Sequence, residues 1–205
     1  MSTLTVVDRD INIHKFKHKS REYFIVEQTP GHQMIWWNDF YPNPMPEGES
    51  YVPYLLPMPY TLLISSKVDD SGEHDYGYGS VTKCMNKEAY SGEEMPNGYL
   101  IPLPTMNNAF NNCGFTSRAA GSTDEELANS MLNSFWGSAF CKHWYPEATW
   151  DHPFWQSFGF KQPDTSWSKT PKGLLMSILQ KWSETPLEEI MKKDFGTRQL
   201  STVLR

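Results

Sequence analysis

Cysteine is scarce in this chain, which limits the roles that its thiols can take. The 205 residues contain three, Cys84, Cys113 and Cys141, so at least one is unpaired and a disulfide-rich scaffold is excluded. Their spacing matches no zinc-binding pattern. These features favour a reducing, cytoplasmic setting.

Long apolar runs and familiar catalytic signatures are also missing. The chain has no run of about 20 apolar residues, so we expect no membrane span. Its first residues do not combine a basic segment with an apolar one, so we expect no secretory signal. P-loop, dinucleotide, serine-elbow and His-Glu-x-x-His motifs are absent from the sequence. We therefore predict no cofactor and no metal.

The balance of charge disfavours nucleic acid as a general partner. The formal net charge is -6, whereas nucleic-acid-binding proteins usually carry a basic surface. One basic run, His14-Lys-Phe-Lys-His-Lys-Ser-Arg21, interrupts this pattern. We interpret it as a solvated turn or an edge strand.

Aromatic residues and proline are abundant instead. The 8 Trp, 11 Phe, 10 Tyr and 15 Pro are typical of a chain that buries large rings, uses rigid turns and keeps aromatic surface for partners. We predict one domain over residues 1–205. Residues 1–115 are strand-rich, residues 122–205 are helical, and the polar stretch 69–98 is a candidate long insertion.

The order of predicted elements indicates an α+β fold. Extended runs of β-forming residues predict strands, with a weaker one near Ser80–Met85: Leu4–Val7, Glu22–Glu27, Gln33–Trp37 and Tyr60–Ser66. Prolines make 42–59 a stiff irregular connection. Helices follow, opened by a capping box at Thr123–Glu126 and by Thr-Pro pairs at Thr170 and Thr185. Strands before helices predict an antiparallel meander with helices packed on it.

Cys113 is the candidate nucleophile. It lies in the polar segment Asn111–Phe115, after an extended apolar run and before the capped helix. A thiolate there can react, and the carboxamide of an upstream asparagine such as Asn107 can donate to an oxyanion. The alternative is structural, because asparagines also form turns and cysteine also fills small buried spaces. A cysteine hydrolase pairing Cys113 with His143 or His152 is a third interpretation.

Four segments in order resemble a known family. They are Pro102–Gly114, the aromatic run Phe135–Phe140, the helix from Lys172-Gly-Leu-Leu175, and the tail Thr197–Leu204. Together they span roughly the C-terminal half, and the combination resembles PRTRC system protein B. That prokaryotic family is related to ubiquitin-conjugating enzymes.

The resemblance implies a fold, a reaction and partners. The fold is a four-stranded antiparallel sheet flanked by helices, and Cys113 accepts the C-terminus of a ubiquitin-like protein as a thioester. Asn107 supports the loop or the oxyanion, an activating enzyme supplies the modifier, and a mobile element is the expected genetic source. The competing hypothesis is a non-catalytic phage or plasmid assembly protein that buries its aromatic surface in a complex.

Overall fold

A computed structural model describes residues 8–18, 21–40, 44–66, 81–86, 88–92, 123–137, 139–141, 156–159 and 173–193. The strands in these ranges are β1 Ile11–His18, β2 Arg21–Gln28, β3 Gly31–Asn38, β4 Val52–Met58, β5 Tyr60–Ser66, β6 Val81–Asn86 and β7 Ala139–Cys141. The helices are α1 Asp124–Trp136, α2 Leu174–Ser183 and α3 Leu187–Lys192. Within this part of the chain, no helix has the length and apolarity needed to cross a membrane.

One long bent hairpin organises both sheets. The first sheet has the order β1-β2-β5-β6 and is antiparallel throughout, and the second has the order β4-β3-β7. Gln28 pairs with Thr61 in the first sheet, and Gly31 pairs with Met58 in the second. Between these two pairs each strand advances three residues, so the pairing register is the same in both sheets. β2 and β3 therefore form one continuous strand, β4 and β5 form a second, and both bend at the same level.

Two prolines cause the break between the sheets. The shared register puts Pro30 opposite Pro59 at the bend. Proline has no N–H to donate, so the ladder loses its hydrogen bonds on both strands at the same level. We call this bend the proline corner (28–31 and 58–61).

The Arg9 side chain fills the proline corner. Its guanidinium donates to the carbonyl oxygens of Thr29 at 2.8 Å and Pro59 at 2.9 Å, and to Thr61 Oγ1 at 2.8 Å. Arg9 is buried, and burial lowers its pKa to about 9. That value is still above neutral pH, so the group is charged and replaces the missing backbone donors of the corner.

Gly31 is required because the chain crosses it closely. A Cβ atom at Gly31 would lie 2.7 Å from Arg9 Cγ, 2.8 Å from Asp8 Oδ1 and 2.9 Å from the Asp8 carbonyl oxygen. Asp8 has a φ of 123°, and its carboxylate accepts the His32 N–H at 2.8 Å. The approach of residues 8 and 9 to the corner thus depends on the missing side chain of Gly31.

The capped helix α1 covers one face of the first sheet. Thr123 and Glu126 form the predicted capping box. Apolar α1 side chains join one core cluster with Phe24, Val26 and Leu63 of the sheet. The helix ends at Trp136 with Gly137 as its C-cap, and β7 then pairs parallel to β3. Phe140, which falls in the range 122–205 predicted to be helical, is therefore a strand residue.

Helices α2 and α3 pack on β4. The Asp39 carboxylate accepts the N–H of Gly173, the residue that precedes α2. Trp182 Nε1 donates to the Pro57 carbonyl oxygen at 2.8 Å. Thr185 donates to the Lys181 carbonyl oxygen instead of capping α3. The predicted start of the third helix after Thr185 is confirmed, but Thr185 does not cap it, and Thr170 lies outside the described residues.

The α+β class is confirmed, but two strands, β4 and β7, were not predicted. Predicted strands in β2, β3, β5 and β6 are present, and the basic run lies partly in the edge strand β1. The stretch 42–59 is not wholly irregular, because β4 occupies 52–58. Its prolines are tolerated because β4 is an edge strand. The predicted strand Leu4–Val7 lies outside the described residues.

Candidate functional site

The predicted catalytic pair lies in a part of the chain that the structure does not describe. Cys113 and Asn107 are both outside the described ranges, as are His143 and His152. Their separation and surroundings therefore stay predictions. The same holds for the oxyanion role of Asn107 and for the hydrolase alternative.

The remaining histidine and cysteine candidates are separated. His14 and His18 both belong to strand β1, so their four-residue spacing corresponds to about 13 Å along the strand. Cys84 is in β6, and Cys141 ends β7 in the other sheet. In the described ranges, no three side chains of His, Cys, Asp or Glu are arranged to hold a metal ion.

A buried carboxylate is the most developed polar site in the described structure. Glu27 is only 1% exposed. Its Oε1 accepts the Tyr90 N–H at 2.6 Å. Its Oε2 accepts from Asn12 Nδ2 at 3.3 Å and lies 3.3 Å from His14 Nε2. A buried charge needs such a set of donors, because an unpaired carboxylate in the interior is strongly destabilising.

Strand register brings these groups together. Asn12 is the cross-strand partner of Glu27, and His14 lies two residues further along the same face of β1. The segment 88–92 adds Tyr90, whose ring meets the His14 ring edge-on with centroids 4.8 Å apart. Burial raises the pKa of Tyr90. One carboxylate thus connects β1, β2 and the 88–92 segment.

The chemistry of this cluster centres on His14. The Nε2 atom of His14 faces a carboxyl oxygen at 3.3 Å, so the tautomer that has its hydrogen on Nε2 can donate to Glu27 Oε2. A carboxylate on one ring nitrogen fixes the tautomer and the ring orientation of a histidine. This is the arrangement that proton transfer requires, and it also serves to hold β1 in register.

A cleft lies beside this cluster. It has a volume of ≈ 490 Å³, and residues 11–14 of β1 form one wall. Glu125, Ala128 and Asn129 of α1 form the other. These helix positions are three and four residues apart, so they project from one face of α1. The cleft runs between the edge of the first sheet and its covering helix.

The sequence does not predict the Glu27 cluster. Glu27 is predicted only as the end of a strand, and Asn12 has no predicted role. The available signal was a single acidic residue that closes the apolar run Tyr23–Val26. Its partners could not be predicted, because the β1–β2 register sets them.

The aromatic residues at the end of α1 and in β7 form part of the core. Trp136 and Phe140 are fully buried, and Phe135 contacts both rings with centroid distances of 4.5 and 5.8 Å. These three rings therefore belong to the core cluster.

Comparison with known proteins gives no relative from which a function can be transferred. Neither protein-family models, nor curated proteins, nor solved structures produce a significant match to this chain. Functional inference therefore depends on the chemistry of its own residues.

Proposed function

We propose that this protein is a ubiquitin-conjugating-like carrier that holds a ubiquitin-like modifier as a thioester on Cys113. The observation that supports this proposal is the connectivity of the first sheet. When the bent strands are counted as continuous, four antiparallel strands lie side by side in the order of the chain, β1, β2–β3, β4–β5 and β6. The capped helix α1 follows, and Cys113 falls in the connection between them.

The proposed reaction has two exchanges at one carbonyl carbon. The Cys113 thiolate attacks the thioester that links the modifier to its activating enzyme, and the enzyme's thiolate leaves. A lysine amine of the target then attacks the Cys113 thioester, loses a proton and forms an isopeptide bond. The thiolate of Cys113 is released. Asn107 donates a hydrogen bond to the oxyanion in each exchange.

An in vitro charging assay tests this function. The protein is incubated with ATP, an activating enzyme and a tagged ubiquitin-like protein. We expect an adduct that thiol reductant removes and that Cys113→Ala abolishes, while Cys84→Ala and Cys141→Ala retain it. An adduct that persists in Cys113→Ala, or that resists reductant, would overturn the proposal.

An assembly subunit is the second candidate, supported by apolar exposure on β4 and at Tyr51, the residue before it. Tyr51 is 45% exposed and Leu55 is 38% exposed. Met34, the cross-strand partner of Leu55, is half-buried on the same face. Such a patch suits contact with a further subunit. Two results would support this candidate: capsid or tail genes beside its gene, and loss of co-assembly in a variant that carries Tyr51→Ser and Leu55→Ser. Genes for a modifier and an activating enzyme beside it would oppose this candidate.

A further inference from the structure

We propose that the cleft between β1 and α1 binds an extended peptide carrying a basic side chain, which adds as a further strand beside β1. The cleft is the one lined by residues 11–14 and by Glu125, Ala128 and Asn129. This inference is independent of Cys113, because none of the groups that support it belongs to the proposed thioester site.

Backbone geometry supplies the first argument. The Thr29 N–H donates to the Asp10 carbonyl oxygen at 2.9 Å, and the Asp10 N–H donates to Thr29 Oγ1. Asp10 therefore directs its backbone groups toward β2. Because this direction alternates along an antiparallel strand, Ile11 and Ile13 direct theirs to the opposite side.

That opposite side is the edge of the sheet. β1 is the terminal strand in the order β1-β2-β5-β6, and no second strand pairs with it in the part of the chain that is described. Ile11 and Ile13 both line the cleft. Their N–H and C=O groups are thus placed to form a ladder with an incoming strand.

The dimensions of the cleft suit such a strand. Residues 11–14 span about 10 Å from the first Cα to the last, which four residues of an extended peptide can match. A paired strand would lie about 4.8 Å from β1, in the space that α1 bounds on its far side. Ala128 has a small side chain at this wall, and the cleft volume of ≈ 490 Å³ is in the range that binding sites use.

Charge defines the chemistry of the peptide. Lys15 Nζ forms an ion pair with Asp124 Oδ2 at 2.8 Å, so this acidic residue beside the cleft is already neutralised. Glu125 is exposed and has no ion-pair partner among the described residues. A lysine or arginine of the peptide would supply one, while apolar side chains would contact Ile11 and Ile13.

A synthetic peptide provides the direct test. The probe is a fluorescein-labelled, C-terminally amidated pentapeptide of alternating valine and lysine, with valine first, and binding is followed by fluorescence anisotropy with the full chain. Two control peptides carry glutamate in place of lysine, or N-methyl groups on the amides. We expect the glutamate peptide to bind at least about threefold more weakly and the N-methylated peptide about tenfold more weakly.

Protein variants separate the peptide ladder from non-specific attraction. Glu125→Gln should weaken the lysine peptide about threefold, whereas Glu189→Gln, an exposed acidic residue on α3, should leave its affinity unchanged. Ile13→Pro removes one edge N–H without removing a donor to β2, and should abolish binding while the thermal unfolding curve stays cooperative.

NMR locates the contact. The Ile11 and Ile13 amides should shift on titration with the lysine peptide and should exchange more slowly with solvent. Equal binding of the lysine and N-methylated peptides would overturn the proposal, as would amide shifts confined to residues outside the cleft. A peptide that binds without backbone pairing would give the first result, and a peptide that binds elsewhere on the protein would give the second.

Discussion

The two halves of the bent hairpin share one register but differ in burial. In the β2–β5 half, every residue from Tyr23 to Gln28 and from Thr61 to Ser65 is buried. In the β3–β4 half, burial alternates along most of the strands: Ile35 is fully buried, whereas Leu55 is 38% exposed. The same pair of strands therefore buries the side chains of both its faces before the proline corner and mainly those of one face beyond it.

Neighbouring elements cause this difference. β1 and β6 flank the β2–β5 half, and α1 covers one face of it. Beyond the corner, β7 extends the sheet on one side, while α2 and α3 pack on β4. Buried charge is present in both halves and at the corner: Glu27 accepts the Tyr90 N–H in the first half, Arg9 donates to the corner, and Asp39 accepts the Gly173 N–H beyond it. The proline corner is where one environment gives way to the other.

Removal of the Arg9 side-chain donors should have the largest effect on this division. Arg9→Met leaves the carbonyl oxygens of Thr29 and Pro59 without their short hydrogen bonds, and we expect a loss of about 3–5 kcal/mol in unfolding free energy. Urea denaturation measures it. Arg9→Lys should lose less, because one ammonium keeps some of the acceptors satisfied. Full stability in Arg9→Met would mean that the corner holds without its cation.

Each half accepts one hydrogen bond from a tryptophan indole, so the loss of stability on removing each bond can be compared. Trp182 and Trp136 are both fully buried. Trp182→Phe orphans the Pro57 carbonyl oxygen and should cost about 2–3 kcal/mol. Trp136→Phe should cost about 1 kcal/mol less, because Gln28 Oε1 also lies 3.5 Å from Arg9 Nη1. Chemical denaturation of both variants checks the ranking, and the reverse order would contradict it.

Gly31→Ala should move the Arg9 segment away from the corner. The added methyl group overlaps Arg9 Cγ and the Asp8 backbone, so we expect a loss of about 1–2 kcal/mol from overpacking. A double-mutant cycle with Arg9→Met is the matched control. Its combined loss should be smaller than the sum of the single losses, because both changes disturb one contact. If the losses of unfolding free energy were additive, the effect of Gly31→Ala would not act through the Arg9 interaction.

The smallest expected effect concerns Asp8 and acid. Hydrogen bonds from the His32 backbone and ring lower the pKa of Asp8 below 3.8. A lowered carboxyl pKa stabilises the fold above the unfolded-state value, and that stability is lost as pH falls through the folded-state value. Asp8 is 58% exposed, so Asp8→Asn should cost less than about 1 kcal/mol at pH 7. The difference from wild type should shrink as pH falls below 3.8 and through the folded-state pKa of Asp8, and a difference that stays constant over this range would exclude titration as the cause.

The local signals in the sequence were sufficient for several elements. Tyr60–Ser66 is predicted and observed with the same bounds, because its apolar β-formers follow a proline. Thr123 and Glu126 predicted the start of α1 from four consecutive residues. β4 was missed, because its prolines disfavour a strand everywhere except on an edge. Sequence alone does not say which strand will be at the edge.

What the sequence determined by itself is the α+β class and the capping of α1. These follow from propensity and from contacts only a few residues apart. Tertiary structure decided the alignment of Pro30 with Pro59, the burial of Arg9 beside them and the gathering of Asn12, His14 and Tyr90 around Glu27. Each depends on strand register and on neighbours 13 to 63 residues apart, and no local pattern encodes such distances.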